Sequence, residues 1–182
     1  MKYKTEWNLG LLYKNEKDPQ IEKDMRAIEA ACAAFEKKYK GKDFINTPSN
    51  LAQALVDNEK LSDVINGSKC WWYFALRTKI NSNDSYAGAM ATSLDQRINA
   101  ALNNIKFFSL EVSKISKKDQ ANYLHDAKLQ PYRYVLEQIF SRAKYNLSEK
   151  EEQIVSLLTQ TSYDMWVEGQ QRVLSQEMIT HR

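Results

Sequence analysis

All three prolines of this 182-residue chain stand where a helix can begin. Asp18-Pro19 and Thr47-Pro48 each set an N-cap residue before a proline at the first helical position. There the missing N–H is no loss, and the fixed φ suits the helix. Pro131 opens a third such segment. Only five glycines are spread over the chain, so few positions can interrupt a helix. Long helices are favoured over a strand-and-turn fold.

Apolar spacing fills in those helices. Ile21, Met25, Ile28, Cys32, Phe35 and Tyr39 recur every four or three residues, one stripe on a helix predicted to stop at Gly41. Leu51, Leu55, Leu61, Val64 and Ile65 mark a second helix from Pro48 to about Gly67. Lys69 to Ile80, with Cys70, Trp71, Trp72, Tyr73, Phe74 and Leu76, is apolar nearly all round. It is predicted to be the most enclosed helix; a strand is the second reading, with no partner strand in sight. After the polar run Asn81 to Ser85, the stripe from Tyr86 through Leu94, Ile98, Ile105 and Phe108 to Ile115 predicts one helix ending near Ser116. At about 30 residues it would be roughly 45 Å long.

Lys117 to Lys128 reads as a short helix carrying Ala121, Leu124 and His125. The next helix runs through Phe140 with Tyr134, Val135, Leu136 and Ile139 facing in. A break at Tyr145-Asn146-Leu147 precedes a capping box, in which Ser148 and Glu151 exchange side-chain and backbone hydrogen bonds. Glu149, Glu151 and Glu152 put negative charge where the helix dipole favours it. The final segment, Glu149 to Met178, reads as helical with an interruption near Thr159 to Ser162. Residues 1–17 read as an irregular arm docked through Trp7, Leu9, Leu11, Leu12 and Tyr13. The expectation is an all-α fold, a single multi-helix domain over residues 1–182 with about seven helices and short loops.

Charge and composition exclude several classes. A net charge of +3 with lysines and carboxylates interspersed gives no basic block for nucleic acid. No stretch nears 18 apolar residues and none has signal-peptide character, so no membrane partner and a cytoplasmic location are expected. Cys32 and Cys70 lack CxxC spacing and sit in apolar stripes, the pattern of inert packing thiols in a reducing compartment.

Catalytic motifs are missing as well. The only histidines are His125 and His181. His125 is followed by Asp126-Ala127-Lys128-Leu129, so there is no His-Glu-x-x-His from which to build a zinc site. GxSxG, P-loop and GxGxxG patterns do not occur. Glu151 and Glu152 are adjacent and point to different sides of a helix, which suits a cap and not an acid–base pair. Trp71-Trp72-Tyr73-Phe74 reads as core before it reads as a ligand cage. Tyr132, Arg133 and Tyr134 could present polar tips to a groove, although Arg133 has carboxylates near it in sequence to pair with.

Several segments, taken in order, resemble one family. Glu6-Trp7-Asn8-Leu9, Leu12-Tyr13, Asp18-Pro19 and Ile21-Glu22-Lys23-Asp24 are followed by Phe35 to Lys42, Tyr73 to Leu76 and Asn81 to Asp84. Phe107 to Glu111, Tyr132-Arg133-Tyr134-Val135-Leu136-Glu137, Leu147-Ser148-Glu149 to Glu152 and Met165-Trp166 complete the series. The chain so read is similar to the N-terminal helical lobe of the oligoendopeptidase F group, thimet-oligopeptidase-like zinc metallopeptidases. Two positions depart: Asn8 where the family usually has Asp, and Tyr145-Asn146 where it often has His.

The resemblance implies cytosolic zinc endopeptidases that cut short peptides in a channel between helical lobes, with the N-terminal lobe as one wall. It carries over no catalytic or metal residue, because the family's zinc motif belongs to a later lobe. The expected role is therefore a substrate-gating lobe, inactive alone, with no cofactor of its own and zinc in the parent enzyme. Its expected partners are the missing catalytic lobe and short peptides, and Tyr132, Arg133 and Tyr134 are the candidate channel wall. The alternative is a stand-alone helical interaction module without peptidase activity.

Overall fold

The computed structural model describes residues 7–176. Expectations for residues 1–6 of the arm, for Met178 and for His181 lie outside the described residues. Nine α-helices and no strand occur within them: α1 (Pro19–Tyr39), α2 (Pro48–Gly67), α3 (Cys70–Ile80), α4 (Ser85–Asn103), α5 (Phe107–Ser113), α6 (Lys117–His125), α7 (Arg133–Arg142), α8 (Glu149–Thr159) and α9 (Met165–Gln176). The all-α expectation stands, and the strand reading of residues 70–80 does not.

The start signals act as read. Asp18 accepts from the Gln20 N–H and Thr47 from the Asn50 N–H, each with proline following. Gly41, just past α1, has φ +69°, the left-handed conformation in which glycine carries no Cβ penalty. All six stripe residues of α1 are buried. Around α1 pack α2, α3 and α4, so its stripe is the centre of the core. At its C-terminal end Phe35 and Tyr39 meet Phe44, Phe107 and Phe108, with Phe44 and Phe108 stacked at 5.1 Å.

Polar clamps fix the helices laterally. Arg97 of α4 donates to Glu22 and Glu29 of α1 at 2.8–3.2 Å. Asp57 of α2 accepts from Tyr39 Oη at 2.6 Å and from Lys38. Tyr123 Oη of α6 donates to the Ile45 carbonyl at 2.6 Å, tying the second half of the fold to the α1–α2 turn.

Four expectations need correction. The predicted 30-residue helix breaks at residues 104–106, separating α4 from α5. The break redirects the chain so that Phe107, Phe108 and Val112 all reach the buried interior. Second, α3 is not the most enclosed element: Cys70, Tyr73 and Phe74 are buried, but Trp72 is 54% exposed and Ile80 is exposed too. Third, the leading arm is only partly docked, with Tyr13 buried, Leu9 and Leu12 packed on the core, and Trp7 and Leu11 exposed. Fourth, on α7 only Leu136 is buried; Ile139 packs on the core, while Tyr134 and Val135 face solvent.

Candidate functional site

Two surfaces remain as candidates, and they differ in kind. The first is the start of α7. A 3₁₀ turn at Gln130–Tyr132 leads into the helix, and Tyr132 Oη donates to Glu59 Oε2 of α2 at 2.8 Å. Bonding to that carboxylate, more than burial, raises the Tyr132 hydroxyl above its ordinary pKa. Arg133 Nε lies 2.9 Å from Glu137 Oε1 one turn on, the local pairing its neighbours allow. Tyr134 has no such tie and is 72% exposed. The three residues follow one another where the 3₁₀ turn passes into α7.

The second surface was not anticipated. Helices α8 and α9 are joined by a π-helical segment, Gln160–Asp164, at the interruption read in the sequence. The capping box that starts α8 is complete: Ser148 accepts from the Glu151 N–H, and Glu151 Oε2 accepts from the Ser148 N–H at 2.8 Å. This 149–176 arm runs antiparallel to α4, and polar groups tie it to α4 and to the break that follows. Gln153 Nε2 donates to the Asn103 carbonyl at 3.4 Å, Lys106 Nζ to the Glu152 carbonyl at 3.1 Å, and Gln160 Nε2 to Asp95 Oδ2 at 3.2 Å. Farther along, Lys79 Nζ donates to Gln171 Oε1 at 2.7 Å.

The arm is thus turned inside out. Its half-buried positions include Glu152, Gln153, Ser156 and Gln160, with Val167 the apolar exception. Its large apolar side chains point away: Ile154, Val155, Leu157 and Leu158 on α8, Tyr163 in the π segment, Met165 and Trp166, then Val173 and Leu174. Each of these nine is 46–71% exposed. Single exposed apolar residues are ordinary, but a contiguous run of this kind marks an interaction surface.

The seam beneath the arm is electrostatically costly. Burial raises Asp95 above the usual carboxylate range. Bonds from Gln160 and Asn99 partly offset this, and the charges of Asp164 and Glu168 add to it. Nearby, the Asn103 side-chain oxygen is buried without a partner among the described residues. A cleft of about 660 Å³ opens where α9 crosses the α3–α4 turn, lined by Thr78, Lys79, Ser82, Asp84, Thr92 and Gln171 among others. Asp84 is engaged there, capping α4 and receiving Arg77 at 2.6 Å.

No group of three or more His, Cys, Asp or Glu among the described residues is placed to hold a metal ion. His125 is exposed on α6, its Nδ1 2.7 Å from the Ala121 carbonyl. Cys32 and Cys70 are buried and free, and burial pushes the Cys32 thiol up, away from the reactive thiolate. These residues do not fit a zinc site. No described helix is long and apolar enough to cross a membrane.

An all-helical lobe whose last helices show an unpartnered face is the class of protein this describes. The comparison with family models makes it particular: residues 111–174 match the N-terminal family of the M3 peptidases, described as oligopeptidase F. Over that span the chain is similar to the N-terminal lobe of the oligoendopeptidase F-like enzymes. The match starts in α5 and reaches into α9, so it takes in both candidate surfaces. The similarity read in residues 6–84 lies outside it. No curated protein and no solved structure matches the chain.

Signals for the second surface were present in the sequence. Asp95, Asn99 and Asn103 form a polar ladder at spacings of four on α4, and Gln153, Ser156 and Gln160 form another on the arm. Two polar ladders of this kind can face each other and leave the apolar stripes outward.

Proposed function

We propose that this chain is the N-terminal, substrate-channel lobe of an oligoendopeptidase F-like zinc endopeptidase that acts on short peptides. It does no bond-breaking chemistry itself. The single observation that supports this reading most is the outward apolar face of the α8–α9 arm, which lies in the part of the chain matched by the family. The partner for that face is the catalytic lobe, which bears the zinc ligands and the water-activating carboxylate that the family chemistry needs. Tyr132, Arg133 and Tyr134 are the proposed channel wall, with Tyr134 free to touch a peptide.

A stand-alone interaction module would need a polar, capped face in place of that arm. The exposed stripe favours the lobe reading.

The test mixes the purified chain with a catalytic lobe of an oligopeptidase F family enzyme. Stable association is expected, and cleavage of a quenched short peptide should depend on zinc and on both parts. Tyr134→Ala should raise KM in that assembly with little change in kcat. Zinc-dependent cleavage by the 182-residue chain alone would overturn the reading.

A further inference from the structure

We infer that, where the catalytic lobe is not bound, two copies of this chain pair through the outward face of their α8–α9 arms, antiparallel about a two-fold axis near Tyr163. This rests on the reading of that face as an interface, and it adds an occupant that competes with the catalytic lobe.

The first argument is phase. Ile154 and Val173 are 19 residues apart, one more than the 18 that complete five turns at 3.6 residues per turn. A π turn closes i→i+5 and so holds about one residue more than an α turn. The segment Gln160–Asp164 lies between them and absorbs that residue, so both side chains fall on one face. Leu158 and Trp166, eight apart across the same segment, come into line in the same way. Without the wide turn, the α9 half of the stripe would be rotated by about 100° from the α8 half.

The second argument is self-complementarity. A two-fold axis demands that a patch fit itself. The midpoint of Ile154 and Val173 falls between Tyr163 and Asp164, so an antiparallel copy sets Ile154 against the other copy's Val173. The same register sets Leu158 against Gly169 and Trp166 beside Thr161 and Ser162, large groups over small ones. Gly169 has no role within the chain. A Cβ there would meet nothing within 4 Å, and its φ is not positive. Glycine inside a helix is destabilising relative to alanine, and close approach of a second helix is what a missing Cβ permits.

The third argument is area. The nine exposed apolar side chains, at roughly 100 Å² apiece, offer about 900 Å² per copy, against the ~800 Å² per partner of a standard stable interface.

Sedimentation velocity on the full 182-residue chain tests the pairing. Over roughly 1–100 µM, where interfaces of this size can be titrated, a species of twice the chain mass should appear. Leu158→Asp and Trp166→Asp should each abolish it and leave helicity, and the melting of dilute chain, unchanged. Gly169→Leu should weaken it at least tenfold. Ser162→Cys, close to the axis, should cross-link copies under mild oxidation, whereas the native Cys32 and Cys70 are buried and should not.

A chain that stays monomeric throughout, or a dimer that survives both aspartate variants, overturns the inference. The two readings fail separately. A monomer that still binds the catalytic lobe removes only the pairing. A dimer that cleaves peptide by itself removes only the lobe reading.

Discussion

Helix α1 and the α8–α9 arm carry apolar stripes of similar spacing and turn them in opposite directions. On α1 the stripe is buried and the charged face meets its neighbours through Arg97 and Asp57. On the arm the polar face meets α4 and the stripe is in water. Amphipathicity therefore says that a helix has two faces and leaves open which one the rest of the chain will cover. That depends on the opposing surface: α1 is met by apolar faces of α2, α3 and α4, the arm by Asp95, itself bonded to Asn99, and by the Asn103 carbonyl.

The sharpest break in the comparison is a pair of truncations. Phe74→Ala in the core should cost about 3–5 kcal/mol in chemical denaturation. Trp166→Ala, measured on dilute chain, should cost under ~0.5 kcal/mol, as for a surface site. Similar losses at the two positions would mean the arm's face is covered after all. Next in size is Ser148→Ala, which removes the α8 cap and should cost about 1 kcal/mol. The loss should appear as faster amide exchange in α8 with little change in global melting, since only polar bonds tie the arm to α4.

The smallest effect is of opposite sign in the two regions. Glu22 is held down to about 2, first by Arg97 and then by Arg26, and Asp57 to about 2 by Lys38 and Tyr39. Their stabilisation is present above their ordinary values of 4.5 and 3.8 and is lost as pH falls toward 2. Asp95 is raised, so its contribution to docking is full below its ordinary 3.8 and is lost as pH rises through its higher folded value. Acidification from neutral to about pH 5 should slow exchange in the arm and leave α1 unaffected, and further acidification should loosen α1. Asp95→Asn should abolish the arm's response. An arm that exchanges at the same intrinsic-corrected rate at both pH values would show that the seam is not proton-linked.

Much of the fold was legible because its signals are local. Asp18-Pro19, Thr47-Pro48, Gly41 and the Ser148–Glu151 box each act within a few residues, and each is found in place. The break after Asn103 was not legible, because the apolar spacing continues through Ile105 and Phe108 without glycine or proline. The destination of Phe107 and Phe108, an aromatic cluster built from residues about 70 positions earlier, decides it. The exposure of Trp72 and Tyr134 was missed for a related reason: hydrophobicity gives a side chain's preference, and the fold had no surface to meet it. At the candidate site, Tyr132, Arg133 and Tyr134 could be singled out by type. The arm's outward face was harder to read, since its polar positions are visible in the sequence but their pairing with those of α4 is not.

The wide turn at Gln160–Asp164 has a consequence for how this surface can change over time. A π turn is a helix with one residue to spare, so losing any single residue from it would restore an unbroken α-helix with its backbone bonds intact. Such a deletion would leave the chain folded while turning everything beyond it by about 100°, carrying Val173 and Leu174 off the stripe. The proposed interface would therefore be held in frame by one residue whose loss keeps the helix intact, and one small lesion there would switch the proposed recognition off without breaking the helix.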